Sequence, residues 1–293
     1  MRKSGALTAW VLMSPYLLYT LVFFAFPLVW SIWLLFHEQS LISPTGEFVG
    51  LGNFVKAFHS PKVLAAFLFS FKFGAVFIPT VIVLSLVIAL MINTIPRLKP
   101  IFSTGYFLPY LASGVAMSLI VMGFLSWTSP FSQFLRRTLG YVPDWFGSPL
   151  LAVLVIGLMV AWKHSGYYAL IFLAALQSIP RELYEVAMID GAGPLRRFWR
   201  ITVPMLYPAF YTVLILAVGL SFAIFSEPFV LTGGGPHYAT HTWQLEIFYQ
   251  LFDFGNAGYA ATVAVLDAVA TFLTVVSLRR LMRIWGRASG YET

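Results

Sequence analysis

Six long apolar stretches, almost free of charge, leave this 293-residue chain very few ways to fold. A helix needs about 20 mostly apolar residues to cross the hydrocarbon core of a bilayer. The stretches 6–36, 63–93, 101–127, 150–176, 203–227 and 259–278 all reach that length. The first, third and fifth contain no Lys, Arg or Asp, and the second, fourth and sixth contain one charge each: Lys72, Lys163 and Asp267. Backbone polar groups in lipid must be satisfied within the segment itself, which leaves helices. The expected fold class is therefore an all-α membrane protein with six transmembrane helices, forming one domain over residues 1–293. Hydrophobic periodicity adds little, because a helix bathed in lipid is apolar all round.

Composition supports this reading. Only 10% of residues are charged, against roughly 25% in soluble domains, and 59% are hydrophobic, with a mean hydropathy of +0.84. There is no Cys, so a disulfide framework, a thiolate nucleophile and a Cys-based metal site are all excluded. The five His residues form no close His-x-x-His or His-Glu-x-x-His pair, which argues against a zinc hydrolase. After Arg2 and Lys3 no charge occurs until Glu38, an apolar run far longer than a signal-peptide core. The first segment reads as an anchor.

Lys and Arg concentrate in cytoplasmic loops. One side of the six spans would carry Arg2, Lys3, Arg97, Lys99, Arg181, Arg196, Arg197, Arg200, Arg279, Arg280, Arg283 and Arg287, and the other only Lys56, Lys62, Arg136 and Arg137. That imbalance expects both termini in the cytoplasm. It also explains the net charge of +7 by topology, so no nucleic-acid partner is expected. On the outer side, the connection from Leu41 to Lys62 holds Pro44, Gly46, Gly50, Gly52 and Pro61, which suggests an ordered loop. In the connection 127–149, Phe131, Phe134, Leu135 and Leu139 are spaced for one face of a short interfacial helix.

The connection between spans four and five, residues 178–202, is the most informative. It reads as two short helices around a glycine hinge. Pro180 and Pro194 suit first helical turns, and Gly191 can take the positive φ of a sharp helix end. In the first helix Leu183, Val186, Ala187 and Asp190 share a face; in the second, Leu195, Phe198, Trp199 and Thr202 do. Arg196, Arg197 and Arg200 can reach water or lipid headgroups.

This stretch resembles the EAA loop of permease subunits in ATP-binding-cassette (ABC) importers. That pattern is Glu-Ala-Ala, three residues, Gly, nine residues, then a hydrophobic residue and Pro. Glu185, Ala187, Asp190, Gly191, Ala192, Phe198 and Pro204 fall in step with it, and Val186 replaces the middle Ala. Residues 48–54, 107–110, 162–163, 171–180 and 231–236 extend the resemblance to the branch serving sugars and glycerol phosphates. The resemblance implies a bacterial cytoplasmic-membrane permease whose first loop helix docks in a cleft of a separate ATPase subunit. Glu185 and Asp190 would make polar contacts there and Gly191 the turn. It further implies a heterodimer with a homologous second permease, two ATPase subunits and an extracytoplasmic solute-binding protein. ATP and Mg would be bound by those ATPase subunits and no cofactor by this chain, which contains no Gly-x-x-x-x-Gly-Lys-Ser/Thr sequence. Gly233-Gly234-Gly235-Pro236 reads as an external turn, with contact to the binding protein as its functional alternative.

Charges inside a span are costly and default to functional hypotheses. Lys163 lies halfway along span four, followed by His164, Ser165, Tyr167 and Tyr168. Aromatic faces with hydrogen-bonding groups suit a sugar. In sugar permeases of this kind that part of the span borders the solute pathway, so Lys163, His164 and Tyr167 are pathway candidates. Phe222, Phe225, Ser226 and Glu227, near the outer end of span five, join them. The alternatives are that Lys163 pairs with Glu227 or Asp267 or snorkels, and that Glu227 is an interfacial, solvated acid. Lys72 reads as snorkelling, and Asp267 as bonded to a neighbouring helix. The function expected is import of a mono- or oligosaccharide, with glycerol phosphate as the competing solute. A secondary transporter driven by ion gradients would leave the 178–202 loop without a role, and no internal repeat is visible. A membrane enzyme would need a clustered acid, base or metal set, which the sequence lacks.

Overall fold

The computed structural model describes residues 2–40, 46–95 and 97–288. Leu41 and Pro44 of the expected external loop lie outside these residues, as do the side chains of Arg2 and Lys3. Among the described residues five helices are long and apolar enough to cross a membrane, and a sixth is added if one bent pair is counted as a span. The chain forms two compact units, with the division falling inside two of its long helices.

The first unit holds residues 1–63 and 246–266. It opens with helix α1 (Arg2–Thr20), a π-helical turn (Leu21–Ala25) and α2 (Phe26–Leu34). The turn runs into Pro27, which has no N–H to donate to the Phe23 carbonyl. Nearly every large apolar side chain from Trp10 to Trp33 is exposed, as a helix facing lipid requires. Strands β1 (His37–Glu38) and β2 (Glu47–Phe48) pair antiparallel, with His37 opposite Phe48. Helix α3 (Gly52–Phe58) follows, and its buried Asn53 donates to the carbonyls of Leu35 and His37, both at 3.1 Å. Residues 46–62 of the expected external loop are thus ordered, as their Gly and Pro content suggests.

The second unit holds residues 64–245 and 267–293. Most of α4 (Pro61–Asn93) belongs to it. Phe69, Phe73 and Phe77 recur every fourth residue on α4 and are fully buried, with successive ring centroids 5.7 and 5.1 Å apart. Their partner is α8 (Pro149–Gln177), the central helix of this unit, with 56% of its apolar window buried. In lipid no hydrophobic force drives helices together, so close approach rests on small residues and dispersion. Two glycines of α8 supply it. A Cβ on Gly157 would sit 2.6 Å from Val76 Cγ1, and a Cβ on Gly166 would overlap the backbone carbonyl of Tyr106.

The third expected span, 101–127, is not one helix. Helix α5 (Lys99–Leu111) ends at Ala112, and α6 (Gly114–Leu125) begins after Ser113; both linking residues are extended. Ser113 is of a residue type suited to the N-cap position. The apolar window of membrane length lies over Gly114–Leu139, running through α7 (Pro130–Leu139). Helix α7 is the short amphipathic helix expected from its spacing. Ser129 caps it by accepting from the Ser132 N–H, and left-handed Gly140 ends it.

After α8 come α9 (Arg181–Ile189), α10 (Pro194–Arg197), a π-helical turn (Phe198–Thr202) and α11 (Val203–Met205). The axis bends by 63° at Leu206 into α12 (Tyr207–Ala223). Pro204 and Pro208 flank the bend, and each removes a helix donor. The fifth expected span, 203–227, also ends early, with Ile224 extended and a new helix, α13 (Ser226–Thr232), beginning at Ser226. The cause is Pro228, whose ring would strike the carbonyl four residues back, that of Ile224, in a continuous helix. The unit also contains the first half of α14 (Trp243–Phe248); a π-helical turn (Tyr249–Asp253) and α15 (Ala257–Ala288) follow. Asp267 on α15 accepts from Gln244 Nε2 at 3.1 Å, the helix-to-helix bond expected of it.

Candidate functional site

Two helix breaks in the second unit meet around one ion pair. Lys163 of α8 donates from Nζ to Oε1 of Glu227 at 3.1 Å, and the two side chains are only 10% and 8% exposed. Of the partners open to Lys163, Glu227 is the one it takes. The expectation of a solvated interfacial Glu227 is corrected: because α12 stops at Ala223, Glu227 lies in the first turn of α13, buried, rather than at the outer end of a span. Gly114, the first residue of α6, allows this closure. A Cβ there would stand 2.7 Å from Glu227 Oε1 and 2.9 Å from Ser226 Cβ. The carboxylate thus lies beside both an ammonium group and the positive end of a 12-residue helix.

Aromatic rings surround the same stretch of α8. Tyr167 stacks on Tyr110 of α5, with centroids 4.6 Å apart and planes at 14°. Tyr110 also meets His164 edge-on at 5.4 Å, and His164 Nδ1 is 2.9 Å from the Val160 carbonyl. Phe225 stacks on Phe229 at 5.2 Å. Of the expected pathway residues, Lys163 and Glu227 touch each other, and His164 and Tyr167 share the Tyr110 ring. Phe225 occupies the break between α12 and α13, and Ser226 is the first residue of α13. Phe222 is placed elsewhere: buried, it packs edge-on against Phe71 and borders a largely apolar cavity with Ser70, Gly74 and Ser221. Lys72 is exposed on α4. Tyr110 and Gly114 are the site residues that the sequence reading missed; the available signal was a span interrupted by Pro109 and Gly114.

The loop between α8 and α12 forms a second candidate site. Gly191 has φ +74°. Its N–H donates to Met188 O at 3.0 Å, and the Ala192 N–H reaches back to Ala187 O at 2.8 Å. That pair of bonds is a Schellman cap, so the conformation that makes glycine suitable is the one observed. Tyr184 Oη and Thr202 Oγ1 share a hydrogen bond of 2.9 Å that ties the two limbs together. Glu185, Val186 and Asp190 are exposed, Ile189 is 85% exposed, and Ala187, Ala192, Phe198 and Pro204 are half-buried. The single face expected for Leu195, Phe198, Trp199 and Thr202 is corrected. The π-helical turn changes the register, leaving Leu195 and Trp199 outward and turning Thr202 inward. No heavy atom lies within 4 Å of a Cβ built on Gly191. Asp is one of the few residue types that visit the left-handed region at modest cost, so Gly191→Asp is expected to strain the cap locally and to keep membrane insertion, while placing charge and bulk on an open surface. Transport should fall at least tenfold with the protein still in the membrane, as measured by uptake beside an immunoblot of membrane fractions; unchanged uptake would remove the loop from coupling.

Residues 82–285 match the family model described as binding-protein-dependent transport system inner membrane component. The chain is 35% identical to the sn-glycerol-3-phosphate transport system permease protein UgpA of Yersinia enterocolitica over 276 residues, covering 92% of this chain and 90% of that one. It is 28% identical to the probable ABC transporter permease protein YurN of Bacillus subtilis strain 168, covering 86% and 88%. Its fold matches a chain in the crystal structure of a bacterial ABC transporter involved in the import of the acidic polysaccharide alginate. There the TM-score is 0.81 and the identity 22%, with 96% of each chain covered. Apolar helices of membrane length, the loop over 178–202 and these matches lead to one conclusion: the chain belongs to the binding-protein-dependent transport system inner membrane components, the permease subunits of ABC importers.

Proposed function

We propose that this permease carries a neutral mono- or oligosaccharide across the inner membrane, with the α8 face around His164 and Tyr167 bordering the route. The observation that carries this reading is the Lys163–Glu227 pair. The central lysine of the route already has an internal counter-ion at 3.1 Å, so no anionic solute is needed to balance it. Stacked Tyr110 and Tyr167 offer ring faces to the C–H surface of a sugar, with hydroxyls for its polar edge. A fold shared with chains of bacterial alginate ABC transporters, one of them in complex with an alginate pentasaccharide-bound periplasmic protein, supports a saccharide; alginate is acidic, so the neutral charge of the solute rests on the ion pair alone. A second reading, glycerol phosphate, is favoured by the 35% identity to permeases of that name.

In either case the chain pairs with a homologous second permease, two ATPase subunits and an extracytoplasmic binding protein. ATP hydrolysis belongs to those ATPase subunits. Both termini and the 178–202 loop face the cytoplasm, where α9 docks in an ATPase cleft through Glu185 and its exposed apolar neighbours. The experiment is to reconstitute the co-encoded assembly and measure its ATPase rate with binding protein preloaded by candidate solutes. Stimulation by a neutral saccharide and not by glycerol phosphate is the expected result. The reverse would establish the second reading, and no response to any loaded binding protein would overturn both.

A further inference from the structure

Beside the α9 cap lies a cavity of about 240 Å³. Its polar lining is Arg196, Arg197 and Arg200 against the single acid Asp190, with Ala187 and Ala192 keeping it open. Arg197 is half-buried, and its Nε is enclosed without a hydrogen-bond acceptor among the described residues. An enclosed guanidinium N–H is costly to leave unmade, and a phosphate oxygen is the acceptor its planar fork suits best. The helical stretch that carries the three arginines, Pro194–Met205, bends by 63° from α12. It leaves Leu195 72% and Trp199 61% exposed. Tryptophan and leucine beside arginine on a helix bent away from the span are the pattern of an interfacial segment, with rings at headgroup depth and cations at the phosphates. Of the two acids that the resemblance offers to the ATPase, Glu185 is exposed beside Val186 and Ile189, whereas Asp190 borders the cavity.

We infer that the cavity bounded by Arg196, Arg197 and Arg200 is a site for the phosphate of an anionic phospholipid of the inner leaflet. The inference rests on the cytoplasmic placement proposed for this loop. Because Tyr184 and Thr202 join the limbs of the hairpin, a lipid held there would tie the ATPase-docking helix to the membrane surface. The same phosphate chemistry could come from a soluble anion, and the test separates the two.

The full chain, purified with its co-encoded partners, is placed in nanodiscs of phosphatidylcholine containing phosphatidylglycerol. Retained phosphatidylglycerol is then counted by native mass spectrometry after detergent exchange. Wild type is expected to retain it, and each arginine removed in Arg197→Gln and Arg196→Gln/Arg197→Gln/Arg200→Gln should weaken retention roughly fivefold. The control Arg279→Gln/Arg280→Gln/Arg283→Gln removes equal charge from the end of α15 and should retain it. Equal loss in the control would reduce the effect to general surface charge and overturn the site. Displacement by millimolar inorganic phosphate or glycerol phosphate would overturn the lipid in favour of a soluble anion. Loss of the ATPase subunits with lipid retention unchanged would make the arginines a protein contact and also overturn the proposal. ATPase stimulation of the wild-type assembly by loaded binding protein in the same nanodiscs shows separately whether the transport reading stands.

Discussion

Lys163→Met should leave the Glu227 carboxylate buried without its cation, and the helical assembly should lose about 3–5 kcal/mol. The pair is nearly enclosed, joins α8 to α13, and lies where α6 begins at Gly114. A lone carboxylate there has neither water nor a counter-ion, and the helix terminus alone contributes at most about 2 kcal/mol. Glu227→Met should cost a similar amount by stranding the ammonium. The double variant Lys163→Met/Glu227→Met should recover most of the loss, because apolar side chains of similar volume often replace a buried pair at little or no cost. Denaturant titration of purified protein in mild detergent, arranged as a double-mutant cycle, measures the coupling. Additive single losses would mean that the two groups do not depend on each other. A double variant that is stable but fails in uptake would place the pair in the solute route as well as in the packing.

Gly166→Leu is the second change expected to have a large effect. The α5 backbone passes so close to α8 that even a methyl group on Gly166 would overlap the Tyr106 carbonyl. A rigid backbone on the other side cannot yield as a side-chain tip does. Overpacking of this kind costs typically 1–3 kcal/mol and occasionally more, and Leu should exceed Ala. The same separation of α5 and α8 would part Tyr110 from Tyr167 and disturb the face on which a sugar is proposed to rest. Gly219→Ala is the internal contrast: a Cβ on that α12 glycine meets nothing within 4 Å. It should be neutral or stabilising by up to about 1 kcal/mol. Thermal unfolding of both variants in the same detergent tests the pair, and equal melting temperatures would show that the close crossing carries no stability.

Much of this was legible in the residues, for identifiable reasons. Helices of span length follow from apolar runs that leave the backbone no other solvent. The cap at Gly191 was legible because one residue type fits a positive φ after a short amphipathic helix, and that φ is present. Lys163 was marked by its cost, and Glu227 was one of two acids open to it. The breaks at Ala112–Ser113 and Ile224 were hidden because composition in lipid is uniform across them. Pro228 stands one residue past the expected end of span five, and its effect falls four residues back, inside that span. Tyr110 was hidden differently: with 17% aromatic residues, one more ring carries no contrast until its neighbour Tyr167 is known. A sequence likewise does not say which of 22 glycines is crowded; Gly114 and Gly157 face close side chains, Gly166 faces a backbone carbonyl, and Gly219 faces nothing within 4 Å.

The distance along the chain between Lys163 and Glu227, 64 residues, sets a schedule for biogenesis. Synthesis proceeds at about 5–20 residues per second, so the lysine waits roughly 3–13 seconds before its counter-ion exists. A lysine at the centre of an inserting helix costs roughly 2.5–3.5 kcal/mol on the insertion scale. During that interval α8 depends on its apolar residues and on helices already made, Phe69, Phe73 and Phe77 of α4 above all, to remain in the bilayer. The order of synthesis thus runs from aromatic scaffold to unpaired lysine to neutralising acid, and the last 66 residues after Glu227 are added to a bundle whose central charge has already been cancelled.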